Sequence, residues 1–255
     1  MKKYVSIFLL SIVVSYGLYA TELSRIKHVL AYSPDRDTLV VFDIDNTLLI
    51  PATDLGSDQW FSYLVQEQID AGLEHDAALA KIVPVYEHVQ CRKELIPTEP
   101  YLSYAVKQIQ EQCSHVICLT ARSNLLAERT LEQLAKNSLN FHISQMQTYV
   151  FDIYASSIYK NGVIFCANNN KGSVLLHFLD VIGYRPKRII FVDDKEKNLS
   201  DVKYAVSQRA IEYNGLRYCG CDQRVAAFNA QQVAQELKEL LVEYPLALCG
   251  VRDNY

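Results

Sequence analysis

The sequence predicts an α/β fold: a Rossmann-like three-layer sandwich in which helices cover both faces of a central parallel sheet. Three observations predict it. Short apolar runs alternate with longer amphipathic stretches, the pattern of strands joined by crossover helices. The runs LVVF, HVICL and RIIFV are apolar on successive rather than alternate residues, as strands buried on both faces must be. Each run stops abruptly in polar residues: Asp43 and Asp45, then Thr120, then Asp193 and Asp194. Ligands bind outside the carboxyl ends of strands in such sheets, so these side chains are expected to converge on one edge.

The elements follow in order. Residues 38–42 form the first clear strand. Three helical pieces come next, near 58–71, near 74–90 and after Pro100, where Leu102, Ala105, Val106 and Ile109 recur at helical spacing. Pro84 is expected to break or kink the second. A strand over 115–119 leads to a helix through Leu125, Leu126, Leu131 and Leu134. The region 141–165, rich in Tyr and β-branched residues, is expected to hold short strands. Asn168-Asn169-Asn170 is a cap signal for a helix over 171–182 that stops at Gly183. A strand over 188–192, a helix near 199–208, a short strand near 211 and a last helix near 223–242 complete the chain.

The 255 residues, half of them hydrophobic, suffice for one sizeable core. A net charge of −4 and the lack of any Lys/Arg-rich stripe exclude nucleic acid as an expected partner. Lys2 and Lys3, an apolar stretch from Tyr4 to Tyr16 and a small residue at Ala20 read as a signal peptide over 1–20, leaving 21–255 as the mature domain. The expected location is periplasmic or secreted, with no stable membrane span after signal removal, because no later segment is long and apolar enough. Export permits disulfides, and one or two are expected among the seven cysteines, with the C-terminal ones as candidates. The odd number leaves at least one thiol over.

The stretch VVFDIDNTLL poses the chemical question. Asp43 and Asp45 end a buried strand one residue apart, and like charges that close raise one another's pKa unless a cation intervenes. Lys171 can supply one. A lysine in the first turn of a helix is mildly disfavoured by the dipole, which suggests a duty elsewhere. The six histidines form no HxxxH or HExxH pair, and neither GxxxxGK[ST] nor GxSxG occurs. Zinc hydrolase, P-loop kinase and serine hydrolase chemistry therefore have no support.

Together, Asp43-Ile44-Asp45-Asn46-Thr47, Thr120, Lys171 and Asp193-Asp194 match in order the four motifs of the haloacid dehalogenase (HAD) superfamily, which residues 38–215 resemble. The resemblance implies an exported Mg²⁺-dependent phosphatase acting on a small phosphorylated substrate. Asp43 would be the nucleophile and Asp45 the general acid and base. Asn46, Thr120, Ala121 and Lys171 would hold the phosphate. Asp43, Asp45 through its backbone carbonyl, Asp193 and Asp194 would hold the metal. An acid at position 45 favours phosphate esters over carbon–halogen bonds. The 77 positions from Asp43 to Thr120 exceed a minimal crossover, and the resemblance implies a helical cap there, over about 52–98. Trp60, Phe61, Tyr63 and Tyr86 are its candidate substrate contacts, though each is read first as core. Arg92-Lys93 could meet an anionic substrate and is read first as a solvated turn. Arg122 is read equally as a phosphate contact and as a surface residue. Asn198 could order the Asp193-Asp194 loop or merely cap a helix. A phosphotransferase, and a phosphate-binding or effector protein without turnover, are the alternatives.

Overall fold

A computed structural model describes residues 21–143 and 146–244. The expected signal segment and Cys249 lie outside them. The elements are β1 (Thr21–Leu23), β2 (Thr38–Phe42), β3 (Leu49–Pro51), α1 (Asp58–Asp70), α2 (His75–Gln90), β4 (Leu95–Pro97), α3 (Leu102–Gln112), β5 (His115–Thr120), α4 (Ala127–Lys136), β6 (Thr148–Val150), β7 (Ile158–Lys160), β8 (Val163–Phe165), α5 (Lys171–Val181), β9 (Arg188–Asp193), α6 (Glu196–Ser207), β10 (Glu212–Tyr218), α7 (Asp222–Ala226) and α8 (Ala230–Glu243). Seven residues before β2, Ile26–Tyr32, form a 3₁₀ helix.

Eight strands make one sheet in the order β1-β10-β9-β2-β5-β8-β7-β6. The strands from β1 to β8 in that order pair in parallel, and β7 and β6 continue the sheet antiparallel. The α/β class with a mostly parallel central sheet is the fold observed. Successive residues of β2 serve opposite faces. Val40 and Phe42 join one buried cluster with α3 residues, while Leu39 and Val41 join another with α5 and α6 residues. Both faces are covered, which is why the strand is apolar throughout.

The chain leaves β2 on one side toward β5 and β8, then crosses back to β9 on the other. That reversal beside β2 opens a crevice at the carboxyl ends of β2, β5 and β9. Between β2 and β5, two LIP tripeptides 46 positions apart pair antiparallel as β3 and β4. They close the neck of an excursion that carries α1 and α2. Trp60 of this excursion is core, packed with Leu55, Val89 and Val233 of α8.

Several expectations change. Pro84 does not break α2, because it sits on the exposed side of a helix that runs through it. The last helix divides in two, because the Asn229 side chain accepts N–H bonds from Gln231 and Gln232 and starts α8 afresh. The strand expected near 211 is a full seven residues, paired with both β9 and β1. Cys113, Cys118, Cys166, Cys219 and Cys221 are free thiols, so no disulfide forms among them. Burial pushes Cys113 and Cys221 up to about 11 and Cys166 up to about 12, leaving them unreactive at neutral pH. Among the described residues no helix is long and apolar enough to cross a membrane.

Candidate active site

The crevice at the strand ends gathers most of the residues singled out from the sequence. β2 and β9 lie in register, Phe42 against Val192, so the next residues of each, Asp43 and Asp193, are neighbours. The Asp43 N–H donates to the Val192 carbonyl at 2.9 Å. Lys171 reaches between them from the first turn of α5. Its Nζ donates to Asp43 Oδ1 at 2.5 Å and to Asp193 Oδ2 at 2.7 Å, with only 3% of its side chain exposed. Asn170 caps the helix by accepting from the Ser173 N–H at 2.9 Å. At Gly172 an added Cβ would lie 2.4 Å from the Asp201 carbonyl oxygen, so only glycine lets α5 approach α6 this closely.

Carboxylate oxygens of Asp43, Asp193 and Asp194 lie within 4.8 Å of one another. Asp193 is held by its neighbours: Asn198 Nδ2 donates to both of its oxygens at 3.0 Å, and the Lys195 N–H donates at 2.8 Å. Asn198 therefore orders this loop. Burial and the neighbouring acids Asp193 and Asp194 hold the Asp43 carboxyl well above the usual range, against the pull of Lys171. Burial, with Asp193 beside it, pushes Asp194 up to about 7. An all-oxygen set of close carboxylates fits a small hard cation such as Mg²⁺, whose charge would relieve both strains.

Asp45 faces elsewhere. Its carboxylate takes a two-pronged bond from Arg122, Nε to Oδ2 at 2.9 Å and Nη2 to Oδ1 at 2.7 Å. The remaining Arg122 donors go to Thr130 Oγ1 and Gln133 Oε1, both at 2.9 Å, and to Gln90 Oε1 at 3.4 Å. Burial alone would raise the Asp45 pKa, but the Arg122 guanidinium beside it holds the carboxyl below its ordinary value. The Asp45 side chain is thus no part of the carboxylate group. Arg122 is buried, which overturns its surface reading. One signal was present in the sequence: Thr130 and Gln133 are polar yet share a helix face with Leu134, and both are buried there.

Thr120 is buried at the end of β5, where its Oγ1 accepts the Arg122 N–H at 3.2 Å, and Ala121 is exposed beside it. Asn46 departs from the expected phosphate contact. A tight turn with positive φ at Asn46 sends its N–H to the Leu49 carbonyl at 3.1 Å. Its side-chain amide donates to Asp194 Oδ2 at 3.3 Å and Gln59 Oε1 at 3.4 Å. Its donors are spent within the protein, where they tie the strand-end loop to α1. A second tie runs from Lys195 Nζ to the Asp58 carboxylate at 2.8 Å. Arg92 and Lys93 bond to the His88 carbonyl and Thr53 Oγ1 and lie away from the carboxylates. Phe61 and Tyr86, ring centroids 5.0 Å apart, wall a cleft beside Asp45 and Arg122.

Comparison with known proteins adds kinship. A family model described as a protein of unknown function, DUF2608, matches residues 20–244. A Chlamydia trachomatis protein named "Putative outer membrane protein" is 26% identical over 72% of this chain and 70% of its own. An uncharacterized protein of Rickettsia prowazekii is 26% identical over 83% of this chain and 82% of its own. Among solved structures, a haloacid dehalogenase-like hydrolase from Streptococcus pneumoniae aligns over 75% of this chain and 98% of its own, at TM-score 0.42 and 12% identity. A HAD family enzyme from Bacteroides thetaiotaomicron, in complex with magnesium and inorganic phosphate, aligns over 69% of this chain and 92% of its own, at TM-score 0.38 and 10% identity. At such scores and identities these likenesses decide nothing about this chain's chemistry.

Proposed function

The chain belongs to the DUF2608 family, and we propose that it is a HAD-type, Mg²⁺-dependent phosphatase that hydrolyses a phosphate monoester through an aspartyl-phosphate on Asp43. The observation that carries this reading is Lys171, buried between Asp43 and Asp193 where those acids gather with Asp194. A buried cation among three carboxylates is costly to build and has no packing purpose that an apolar residue would not serve better.

Asp43, Asp193 and Asp194 would hold the metal, which when bound masks the charge of the phosphoryl oxygens and of the attacking carboxylate. Lys171 keeps the Asp43 oxygen it touches oriented, favours its ionised form against the burial that opposes it, and shares its charge with an incoming phosphate. Thr120 and the backbone beside Ala121 stand at the end of the adjacent strand, where phosphoryl oxygens would come to rest. The Asp43 carboxylate attacks phosphorus, the P–O bond to the alcohol breaks, and the leaving oxygen departs with the electron pair, taking a proton from Asp45 or from water. Water then attacks phosphorus of the aspartyl-phosphate, releasing inorganic phosphate and restoring Asp43.

Asp45 serves the second half directly, since a carboxylate kept ionised by Arg122 can accept the proton of the attacking water. In the first half the same pairing makes it a reluctant proton donor, which favours alcohols that leave readily. Helices α1 and α2, closed at their neck by β3 and β4, act as the cap over this edge. The reading of residues 1–20 as a signal peptide supports a reaction outside the cytoplasm.

The test is hydrolysis of an aryl phosphate with and without Mg²⁺, for the wild type and for Asp43→Asn. Metal-dependent turnover abolished in the variant is expected. Turnover that needs no metal, or that survives Asp43→Asn, refutes the proposal.

A further inference from the structure

Beside Asp45 a small open cleft of about 60 Å³ lies between the sheet edge and the helices of the excursion. With Asp45 serving the leaving oxygen, as proposed above, the alcohol of a substrate attacked by Asp43 lies on the Asp45 side, toward this cleft. Its apolar wall is formed by Phe61 of α1, Tyr86 of α2 and Leu126 just before α4. The two rings meet edge to face at 62°, a stable pairing that leaves a firm aromatic surface. Tyr86 is steadied by Gln90, whose side-chain amide donates to its hydroxyl at 3.1 Å.

The charged groups are more telling. Three carboxylates line the cleft: Asp45, Asp58 and Glu87. The one cationic side chain lining it is Arg122. A guanidinium has five N–H donors, and here the five meet Asp45 twice, Thr130, Gln133 and Gln90. None is left for a ligand. Lys195, outside the lining, is bound to Asp58. Glu87 takes its hydrogen bond from the Ser123 hydroxyl and is matched by no cation among the described residues. A substrate carrying a second phosphate or a carboxylate on its alcohol would meet Glu87, with Arg122 and Lys195 already committed to Asp45 and Asp58 and no other cation among the described residues that line the cleft. Such a cleft selects by repulsion as much as by attraction.

We propose that the substrate is a monophosphate ester of an uncharged, ring-bearing alcohol, seated against Phe61, Tyr86 and Leu126, and that the acid at 87 disfavours anionic leaving groups. This deepens the phosphatase reading and rests on it.

The test uses two esters that differ by one charge, phenyl phosphate and 4-carboxyphenyl phosphate, with the Mg²⁺-loaded protein. The proposal expects kcat/KM at least about tenfold higher for phenyl phosphate, a ratio that narrows in Glu87→Gln. Phe61→Ala should raise KM for phenyl phosphate more than it lowers kcat. Equal or reversed preference in the wild type overturns the proposal while leaving the phosphatase reading intact. Hydrolysis of neither ester overturns both, and the two failures are told apart by whether any turnover occurs.

Discussion

Replacing Lys171 with Met tests the electrostatics at the centre of the site. The substitution keeps the length of the side chain, and its apolar stem would still lie near the Phe191 ring, which now sits 5.7 Å from Nζ. What it removes is the charge between Asp43 and Asp193. Three close carboxylates then share a buried site with no cation. Breaking a buried pair in this way costs about 3–5 kcal/mol. For a domain of this size about 1 kcal/mol moves Tm by roughly 2–4 °C, so a fall of about 6–20 °C is expected. The protein can escape part of that cost by taking up a proton at Asp43, so the comparison belongs at pH 8, in chelator. Added Mg²⁺ should restore stability to Lys171→Met more than it stabilises the wild type, because it supplies the missing positive charge. Thermal melts of both proteins with and without Mg²⁺ measure this. A variant as stable as the wild type in chelator, or one that Mg²⁺ does not rescue, would refute the reasoning.

Arg122→Lys should be nearly as damaging to turnover as Arg122→Ala, because an ammonium cannot grip both Asp45 oxygens and still serve Thr130, Gln133 and Gln90; aryl phosphate kinetics on both variants check it. Gly172→Ala drives a methyl group against the Asp201 carbonyl and the Ala205 side chain, which should cost about 1–3 kcal/mol and shift Lys171 with the start of α5. Urea unfolding and residual activity together measure that change. His88 and His115 each bury an Nδ1 atom without a hydrogen-bond partner, and burial holds both rings below their ordinary pKa. The unfolded chain therefore takes up protons first as pH falls through about 6.5, and stability should drop from pH 7 toward pH 5. His88→Gln and His115→Gln should each flatten the slope of Tm against pH.

The strand-end chemistry was legible because each piece of it is local. A buried strand must be apolar, so acids that end one stand out, and Asn170 and Gly183 bracket the helix that begins with Lys171. What stayed hidden depends on distant pairing. The two LIP tripeptides are too short to read as strands until they meet across the excursion. β1 is three residues long and exists only through its pairing with β10. Arg122 reads equally as a phosphate contact and as a surface residue until Asp45, Gln90 and the buried polar face of α4 surround it. Asn46 reads as a phosphate contact until its turn closes on Leu49. In both cases the sequence supplies the group, and tertiary structure decides which way its donors point.

The central claim is that Asp43 carries the phosphoryl group. Acid quenching of the Mg²⁺-loaded protein during turnover of radiolabelled phenyl phosphate, followed by peptide mapping, tests it most directly. The account predicts an acid-stable, base-labile acyl phosphate on the peptide that contains Asp43, and none in Asp43→Asn. Turnover without a labelled enzyme under single-turnover conditions, or label on any other residue, would contradict it.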